Sequence, residues 1–181
     1  MIGGRGAAVA LSSMALVGAC WAGAPAGQAD GGRQRDTPGV LCVGASDSTY
    51  DPPLTLVPRR AHITVDARYV CTVAPGRTLP ATGSLDGQSP DASCLTLGGA
   101  RLTETVRYAD GKRSLIVYDS GTTLRVTDVQ IVRLTGHVTE GRGKGQPAQR
   151  TVFAGSSQLP TECLSSGLRG SSGRAQLEVH P

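Results

Sequence analysis

Aromatic side chains are scarce in this sequence, and asparagine is missing altogether. The 181 residues include four Tyr, one Phe and one Trp, and that Trp is residue 21, close to the N-terminus. The rest of the chain therefore lacks the indole ring on which many sites stack a sugar, which weakens a carbohydrate-binding interpretation. Its core must be built from Val, Leu, Ile and Ala, and such a core gains from covalent cross-links.

Lysine is almost as rare as the aromatic residues. Lys112 and Lys144 are the only Lys among the 18 basic side chains, and the others are Arg. Together with the abundant Gly, Ala and Pro, this bias is typical of a GC-rich bacterial gene. The net charge is only +4 and is dispersed along the chain, so nucleic acid is not expected as a partner.

Complete catalytic motifs are missing as well. No Ser lies in a G-x-S-x-G string, and His62, His137 and His180 stand apart with no motif around them. The Gly-rich stretch 141–147 lacks the spacing of a phosphate-binding loop and contains Pro147, which excludes the helix that such a loop requires. We therefore expect a non-enzymatic protein without a cofactor.

Residues 1–29 have the features of an export signal peptide. One basic residue, Arg5, precedes an apolar stretch of small side chains that is short for a membrane span. Two kinds of processing fit this segment. Cleavage after Ala26 or Ala29, which follow the small-x-small rule, predicts a freely secreted protein. Lipid attachment at Cys20, which ends a string similar to a bacterial lipobox, predicts a membrane-anchored lipoprotein.

Cysteine usage agrees with export. Once Cys20 is set aside, four cysteines remain, and an even number in an exported domain predicts two disulfides. A zinc site is disfavoured because no pair has C-x-x-C spacing. The favoured pairing is Cys42–Cys71 with Cys94–Cys163, because the chain between the first two folds back symmetrically on itself. The alternative is Cys71–Cys94 with Cys42–Cys163.

Hydrophobicity alternates with a period of two along most of the remaining chain. In residues 61–69, apolar side chains occupy the odd positions and polar ones the even positions. Such alternation predicts half-buried strands, and no segment after residue 29 has helical periodicity of useful length. We predict an antiparallel β-sandwich, Ig-like or jelly-roll-like, over residues 40–181, preceded by a flexible linker over 30–39.

Pairs of residues that contain Gly mark the expected turns. Asp110-Gly111 predicts a hairpin, and Ser120-Gly121 predicts a further reversal of the chain. The stretch 122–134 has the composition of one long strand whose apolar phase slips, which we attribute to a β-bulge near Asp128. The prediction thus places a reversal before this strand and none within it.

The longest stretch without a strand pattern is 74–93, which is rich in Pro and Gly. It includes the string LPATG at 79–83, a cell-wall sorting signal when it lies near a C-terminus and precedes a hydrophobic span. Here strand-like segments follow it, so we interpret the string as a coincidence within a loop. A braced loop that offers Arg77 would suit a protease inhibitor.

Several short strings occur in a characteristic order along the chain. They are LCVGASDSTYDPPLTLVPR, SCLTL, VRYADGKRS, GHVTEG and ECLSSGLRGSSGRAQLEV. This series resembles that of a group of small secreted actinobacterial proteins with four cysteines, over about residues 40–180. The resemblance implies an exported four-cysteine β-sandwich and carries no site residues. One departure is Tyr108, which stands where a Trp is usual in the group.

These observations together predict a secreted binding or interaction module without enzymatic activity. Its expected partner is a protein or a component of the cell envelope. The module is expected to be a monomer and to contact a membrane only if Cys20 carries a lipid. The alternative hypothesis is a protease inhibitor that uses the loop 74–93.

Overall fold

The computed structural model describes residues 38–126, 129–155 and 159–181. The strands are β1 Val40–Leu54, β2 Arg59–Ala74, β3 Arg77–Ala92, β4 Leu97–Gly98, β5 Arg101–Tyr108, β6 Arg113–Val126, β7 Val129–Gly141, β8 Pro147–Gly155 and β9 Leu168–Val179. A short helix, α1 Leu159–Leu164, lies between β8 and β9. The predicted signal peptide 1–29, with Cys20, and nearly all of the linker 30–39 lie outside the described residues.

Eight of these strands form a closed antiparallel barrel in which neighbours along the chain are also neighbours in space. β1 pairs with β2, β2 with β3 and β3 with β5, and the series continues to β9, which pairs back onto β1. The two-residue strand β4 pairs with the end of β3. Closure leaves no long edge strand among the described residues, which removes the usual place for edge-to-edge association.

The predicted all-β class is confirmed, but the β-sandwich is wrong. A sandwich has two separate sheets, whereas here β1 and β9 pair from Val40↔Val179 to Thr49↔Gly170 and close a single sheet on itself. Alternating apolar residues fill a barrel interior as well as the space between two sheets, so the pattern does not distinguish them. The pairing of β1 with β9 is what distinguishes the barrel from a sandwich. It joins the two ends of the domain and therefore leaves no local signal in the sequence.

The stretch 122–134 is not one bulged strand, as predicted, but parts of two strands. Val126 at the end of β6 pairs with Val129 at the start of β7, so the chain reverses between them. The alternation of apolar and polar residues starts afresh in each strand of a hairpin. This accounts for the shift in the apolar pattern within residues 122–134. β6 instead continues through Ser120-Gly121, the predicted turn, where its register with β7 shifts. Asp128, the predicted bulge, lies outside the described residues.

The hairpin predicted at Asp110-Gly111 is confirmed. Gly111 lies between β5 and β6 and has a φ of 80°, a conformation that strongly favours glycine. Its N–H donates a hydrogen bond of 3.0 Å to the carbonyl of Tyr108, which closes the turn.

The predicted loop 74–93 is almost entirely strand β3. β2 and β3 form a long hairpin with a tight turn at Pro75-Gly76, and the string LPATG lies within β3. Alternate residues of β3 face the barrel interior, but several of them are small or polar, such as Gly83 and Ser89. Because these residues replace the expected large apolar side chains, the sequence pattern concealed the strand.

Both favoured disulfides are present. Cys42 and Cys71 are directly opposite one another on β1 and β2, and both are fully buried inside the barrel. Cys94, between β3 and β4, is bonded to Cys163 on α1. Each disulfide is expected to contribute about 2–4 kcal/mol, mainly by restricting the unfolded chain. Two disulfides indicate that the protein matures in an oxidising environment.

The barrel has two different ends. The mouth end carries the β1–β2, β3–β5, β6–β7 and β8–β9 connections, together with a small apolar cluster that includes the disulfide Cys94–Cys163. The closed end carries the β2–β3, β5–β6 and β7–β8 turns and both strand termini, Val40 and Val179. The main apolar core occupies the barrel interior.

Candidate ligand site inside the barrel

A layer of four polar side chains crosses the barrel interior between its two ends. It consists of Tyr69 on β2, Glu104 on β5, Tyr118 on β6 and Arg150 on β8. Glu104 is 0% exposed and Arg150 is 1% exposed, so a carboxylate and a guanidinium are both withdrawn from water. Charged side chains are almost never buried to this extent unless they are paired.

Glu104 is the centre of this polar layer. Its Oε1 accepts hydrogen bonds from Nη1 of Arg150 at 2.6 Å and from the Tyr69 hydroxyl at 3.0 Å. Its Oε2 accepts a hydrogen bond of 2.6 Å from the Tyr118 hydroxyl. Bonds to a charged acceptor are stronger than neutral ones and offset the cost of burying the carboxylate.

Glycines make room for the polar layer. A Cβ on Gly83 would lie 2.6 Å from Oε1 of Glu104 and 2.8 Å from the Tyr69 ring, so no larger residue fits without displacement. Gly136 on β7 allows the close approach of the β6 backbone beside Tyr118, since a Cβ there would lie 1.9 Å from the Val117 carbonyl oxygen. The last residue of the LPATG string therefore has a packing role inside the barrel.

Burial and Glu104 change the ionisation of the other members of the layer. The pKa values of Tyr69 and Tyr118 are both far above the usual tyrosine value of 10.0. Desolvation is the largest cause for each, and the negative charge of Glu104 adds to it. Burial alone would lower the pKa of Arg150, but the attraction of Glu104 outweighs this effect and raises it. Both hydroxyls therefore stay protonated donors, and Arg150 stays charged.

One polar group of this layer is unused. Nη2 of Arg150 makes no hydrogen bond to any residue that the structure describes, although the side chain is almost completely buried. A buried donor without a partner costs about 1–3 kcal/mol, and more when it is charged. An unpaired group of this kind in a folded protein requires an explanation, and a bound acceptor is one.

Arg150 borders a cavity that extends from the polar layer toward the mouth end. The cavity has a volume of about 50 Å³. Its wall is mainly aliphatic and includes Ile63, Leu85, Leu102 and Val152. An apolar cavity with a single charged donor at its inner end can hold a molecule that is apolar over most of its length and carries an oxygen at one end.

Tyr50 lines this cavity on the side of the mouth. Its hydroxyl lies 2.8 Å from Oγ of Ser171 and connects β1 to β9 just beyond their last regular pair, Thr49↔Gly170. Burial raises the pKa of Tyr50 above its usual value. The ring packs against both apolar clusters of the domain and forms part of the cavity wall.

The residues singled out in the sequence do not gather at this site. Arg77 begins β3 at the closed end, and its Nη2 lies 3.5 Å from Oδ2 of Asp110. His62 contacts Asp86 on the outer wall at 2.8 Å. The described residues contain no group of three or more His, Cys, Asp or Glu side chains that could hold a metal ion.

The sequence contained a signal for the polar layer that the predictions did not use. Glu104 lies at an inward position of β5, between Leu102 and Val106, and Arg150 occupies an inward position of β8. A charged residue in the apolar phase of a strand is unusual, and two of them of opposite sign predict a buried pair.

No model of a known protein family, no curated protein and no solved structure matches this chain. Among the described residues, no helix is long and apolar enough to cross a membrane. The resemblance to secreted actinobacterial proteins therefore stays a prediction, and the site is interpreted from its own geometry.

Proposed function

We propose that this protein is an exported, non-enzymatic binding protein that holds a small apolar molecule inside the barrel. One oxygen of the ligand accepts a hydrogen bond from Nη2 of Arg150. The observation that carries the proposal is this unpaired, buried donor beside an aliphatic cavity. The interior of an eight-stranded barrel has room either for side chains alone or for one small ligand.

The charges of the polar layer favour a neutral ligand. Arg150 and Glu104 already form a buried pair of opposite charges. A ligand carboxylate would add an uncompensated negative charge to an interior of low dielectric constant, which is costly. The oxygen of a ketone, ester or amide would complete the hydrogen bonding of Arg150 without changing the net charge.

The ligand needs more space than the cavity of about 50 Å³ provides while Tyr50 is in place. A cavity of about 150 Å³ is known to accept a molecule of the size of benzene. Binding therefore involves displacement of the Tyr50 ring from Ser171. The displacement costs the hydrogen bond to Ser171, about 1 kcal/mol, and also the apolar contacts of the ring, so the ligand must bury enough apolar surface of its own to offset both.

The test is a calorimetric titration of the exported protein with 2-decanone, decane and decanoate. We expect 2-decanone to bind about 10–100-fold more tightly than decane, because a hydrogen bond to a charged donor contributes about 1.5–3 kcal/mol. Decanoate should bind more weakly than 2-decanone at neutral pH. Equal affinities for 2-decanone and decane, or no binding of either, would overturn the proposal.

The role of Tyr50 is tested with a matched pair of variants. Tyr50→Phe removes the bond to Ser171 at the mouth end, and Tyr108→Phe removes a similar bond of 3.0 Å to Ser114 at the closed end. We expect faster association of 2-decanone with Tyr50→Phe and an unchanged rate with Tyr108→Phe. Equal rates in both variants would show that Tyr50 does not control access.

Export is proposed on two grounds. The two disulfides require an oxidising environment, and residues 1–29 have the features of a signal peptide. We propose free secretion as a monomer, with lipid attachment at Cys20 as the alternative. The intact mass of the protein isolated from its host distinguishes a chain that starts at Gly27 or Asp30 from one that starts at a lipid-modified Cys20.

The protease-inhibitor hypothesis loses the loop on which it was based, since residues 77–92 form strand β3. Arg77 itself remains exposed beside the tight turn at Pro75-Gly76. The hypothesis stays a prediction. Incubation with trypsin-like and subtilisin-like proteases tests it, and inhibition that survives Arg77→Ala would contradict the role given to Arg77.

A further inference from the structure

Most of the exposed large apolar side chains among the described residues lie at the mouth end of the barrel, and the others, Leu41, Val43, Val70 and Phe153, lie on its outer wall. Six of those at the mouth end form what we call the apolar rim: Leu56 and Val57 between β1 and β2, Leu95 between β3 and β4, Leu124 and Val126 at the end of β6, and Leu164 at the end of α1. Their exposed fractions range from 44% to 73%. The four segments that carry them are spread around the circumference, because their strands are spread over the whole strand order.

The closed end has a different surface. Its turns at Pro75-Gly76, 109–112 and 142–146 consist of Pro, Ala, Gly and polar or charged residues, with no large apolar side chain. Single exposed apolar residues are normal on any protein surface. Their concentration around one opening, with none on the turns of the opposite end, indicates an interaction surface.

Arginines accompany the apolar rim. Those at the strand ends of the mouth are all exposed: Arg59, Arg60, Arg101, Arg125 and Arg169. The acidic residues that the structure describes on the same strand ends and connections are Asp51, Asp91 and Glu162. Apolar tips with an excess of positive charge are the combination that binds an anionic lipid surface.

We propose that the apolar rim docks onto the surface of an anionic lipid membrane, with its apolar side chains between the lipid head groups and its arginines on their phosphates. A membrane is favoured over a protein partner because the rim side chains lie on separate connections rather than on one continuous face. Separate tips can each enter a fluid lipid surface, whereas a protein partner must match the shape of the whole ring. Docking is independent of ligand binding inside the barrel.

The test is cosedimentation with lipid vesicles. The protein is isolated after export as a Cys20→Ser variant, so that no lipid can be attached to the chain itself. We expect it to bind vesicles of phosphatidylcholine mixed with phosphatidylglycerol, and to bind pure phosphatidylcholine more weakly. Added salt should reduce the difference between the two, because it screens the arginines.

Two double variants locate the contact. Val57→Ser with Leu164→Ser removes two side chains of the rim, and Val43→Ser with Val70→Ser removes two that are about as exposed, 51% and 55%, on the outer wall. The rim variant should lower vesicle partitioning roughly tenfold or more, and the wall variant should leave it unchanged. Because all four side chains are exposed, both variants are expected to fold.

Three results would overturn the proposal. The protein could fail to bind anionic vesicles, or the wall variant could lose as much binding as the rim variant. It could also form a dimer in sedimentation experiments that the rim substitutions dissociate, without any vesicle binding. The last result would assign the apolar rim to a protein interface.

Discussion

The two ends of the barrel are stabilised in different ways. At the closed end, the disulfide Cys42–Cys71 joins two opposing strands inside a packed core. Tyr108 completes this end, with its hydroxyl 3.0 Å from Oγ of Ser114 and its ring 4.3 Å from the guanidinium of Arg142. At the mouth end, the interior holds a cavity, and the second disulfide joins connections instead of strands. The comparison shows that cross-links join neighbouring strands at the closed end, whereas at the mouth end the cross-link joins connections above a cavity.

Ion pairs reinforce this difference. Nη2 of Arg142 lies 2.6 Å from Oδ2 of Asp110, and the hydrogen bond from Arg142 lowers the pKa of that carboxyl group. Arg113 and Glu140 pair nearby at 3.0 Å. The first pair connects the β5–β6 turn to the β7–β8 turn, and the second joins the adjacent ends of β6 and β7. The polar layer around Glu104 lies between this end and the cavity.

The largest effect is expected when the polar layer itself is broken. Glu104→Gln leaves Arg150 buried without its counter-charge and should lower the free energy of unfolding by about 3–5 kcal/mol, measured by denaturant titration. Combining it with Arg150→Met removes both charges and should recover much of this loss. A loss below about 1 kcal/mol in the single variant would mean that the pair is not buried in solution.

The next largest effect is expected at alkaline pH. Tyr69 and Tyr118 have folded-state pKa values raised above 10.0, so the stability linked to their protonated hydroxyls is fully present below pH 10. As the pH rises further, the unfolded chain releases these protons while the folded chain retains them. Stability should then fall by about 1.4 kcal/mol per pH unit for each tyrosine. Denaturant titrations at several pH values above 10 measure how steeply the free energy of unfolding falls. If the double variant Tyr69→Phe, Tyr118→Phe loses stability as steeply as the unsubstituted protein, the assignment to these two tyrosines is contradicted.

A smaller effect should distinguish the crowded middle of the barrel from the open mouth. Gly83→Ala places a methyl group against Glu104 and Tyr69 and should cost about 1–3 kcal/mol. Gly155→Ala, at the mouth end of β8, meets no atom within 4 Å and should change stability by less than about 0.5 kcal/mol. Thermal unfolding of the two variants provides the comparison, and equal costs would show that the interior near Glu104 is not tightly packed.

The smallest effect is expected on the surface of the closed end. Arg113→Ala removes an ion pair whose two side chains are 59% and 55% exposed, so the free energy of unfolding should fall by about 0.2–1 kcal/mol. Arg174→Ala is the matched control, since Arg174 is exposed, lies opposite Ala45 and Phe153, and has no ion pair among the described residues. A difference well above 1 kcal/mol between the two would mean that surface charges contribute more to the closed end than its disulfide and core suggest.

The sequence predicted the local features of this fold better than its closure. The alternation around Ile63 predicted β2, and the turn at Gly111 followed from its own dipeptide, because both features depend on neighbouring residues. Barrel closure depends on hydrogen bonds between β1 and β9, for which no local pattern exists. Strand β3 was missed because inward glycines such as Gly83 make room for Glu104, a side chain contributed by β5, the next long strand around the barrel.

The candidate site was predictable only in part. Glu104 and Arg150 both stood at apolar-phase positions, which is a readable sign of a buried pair. That they meet follows from strand order, since β5 and β8 are not paired with one another and face each other only when the sheet closes. The unpaired Nη2 and the position of Tyr50 are properties of the packed interior and have no counterpart in the sequence.

The most direct test of the difference between the two ends is a map of backbone amide chemical shifts during titration with 2-decanone. Ligand binding as proposed predicts shifts at residues that line the cavity, such as Ser48, Leu102 and Val152, and at the side-chain Nε of Arg150. It predicts none at closed-end residues such as Val138. Shifts that are absent, or that include the closed end equally, would contradict a ligand site on the mouth side of the polar layer.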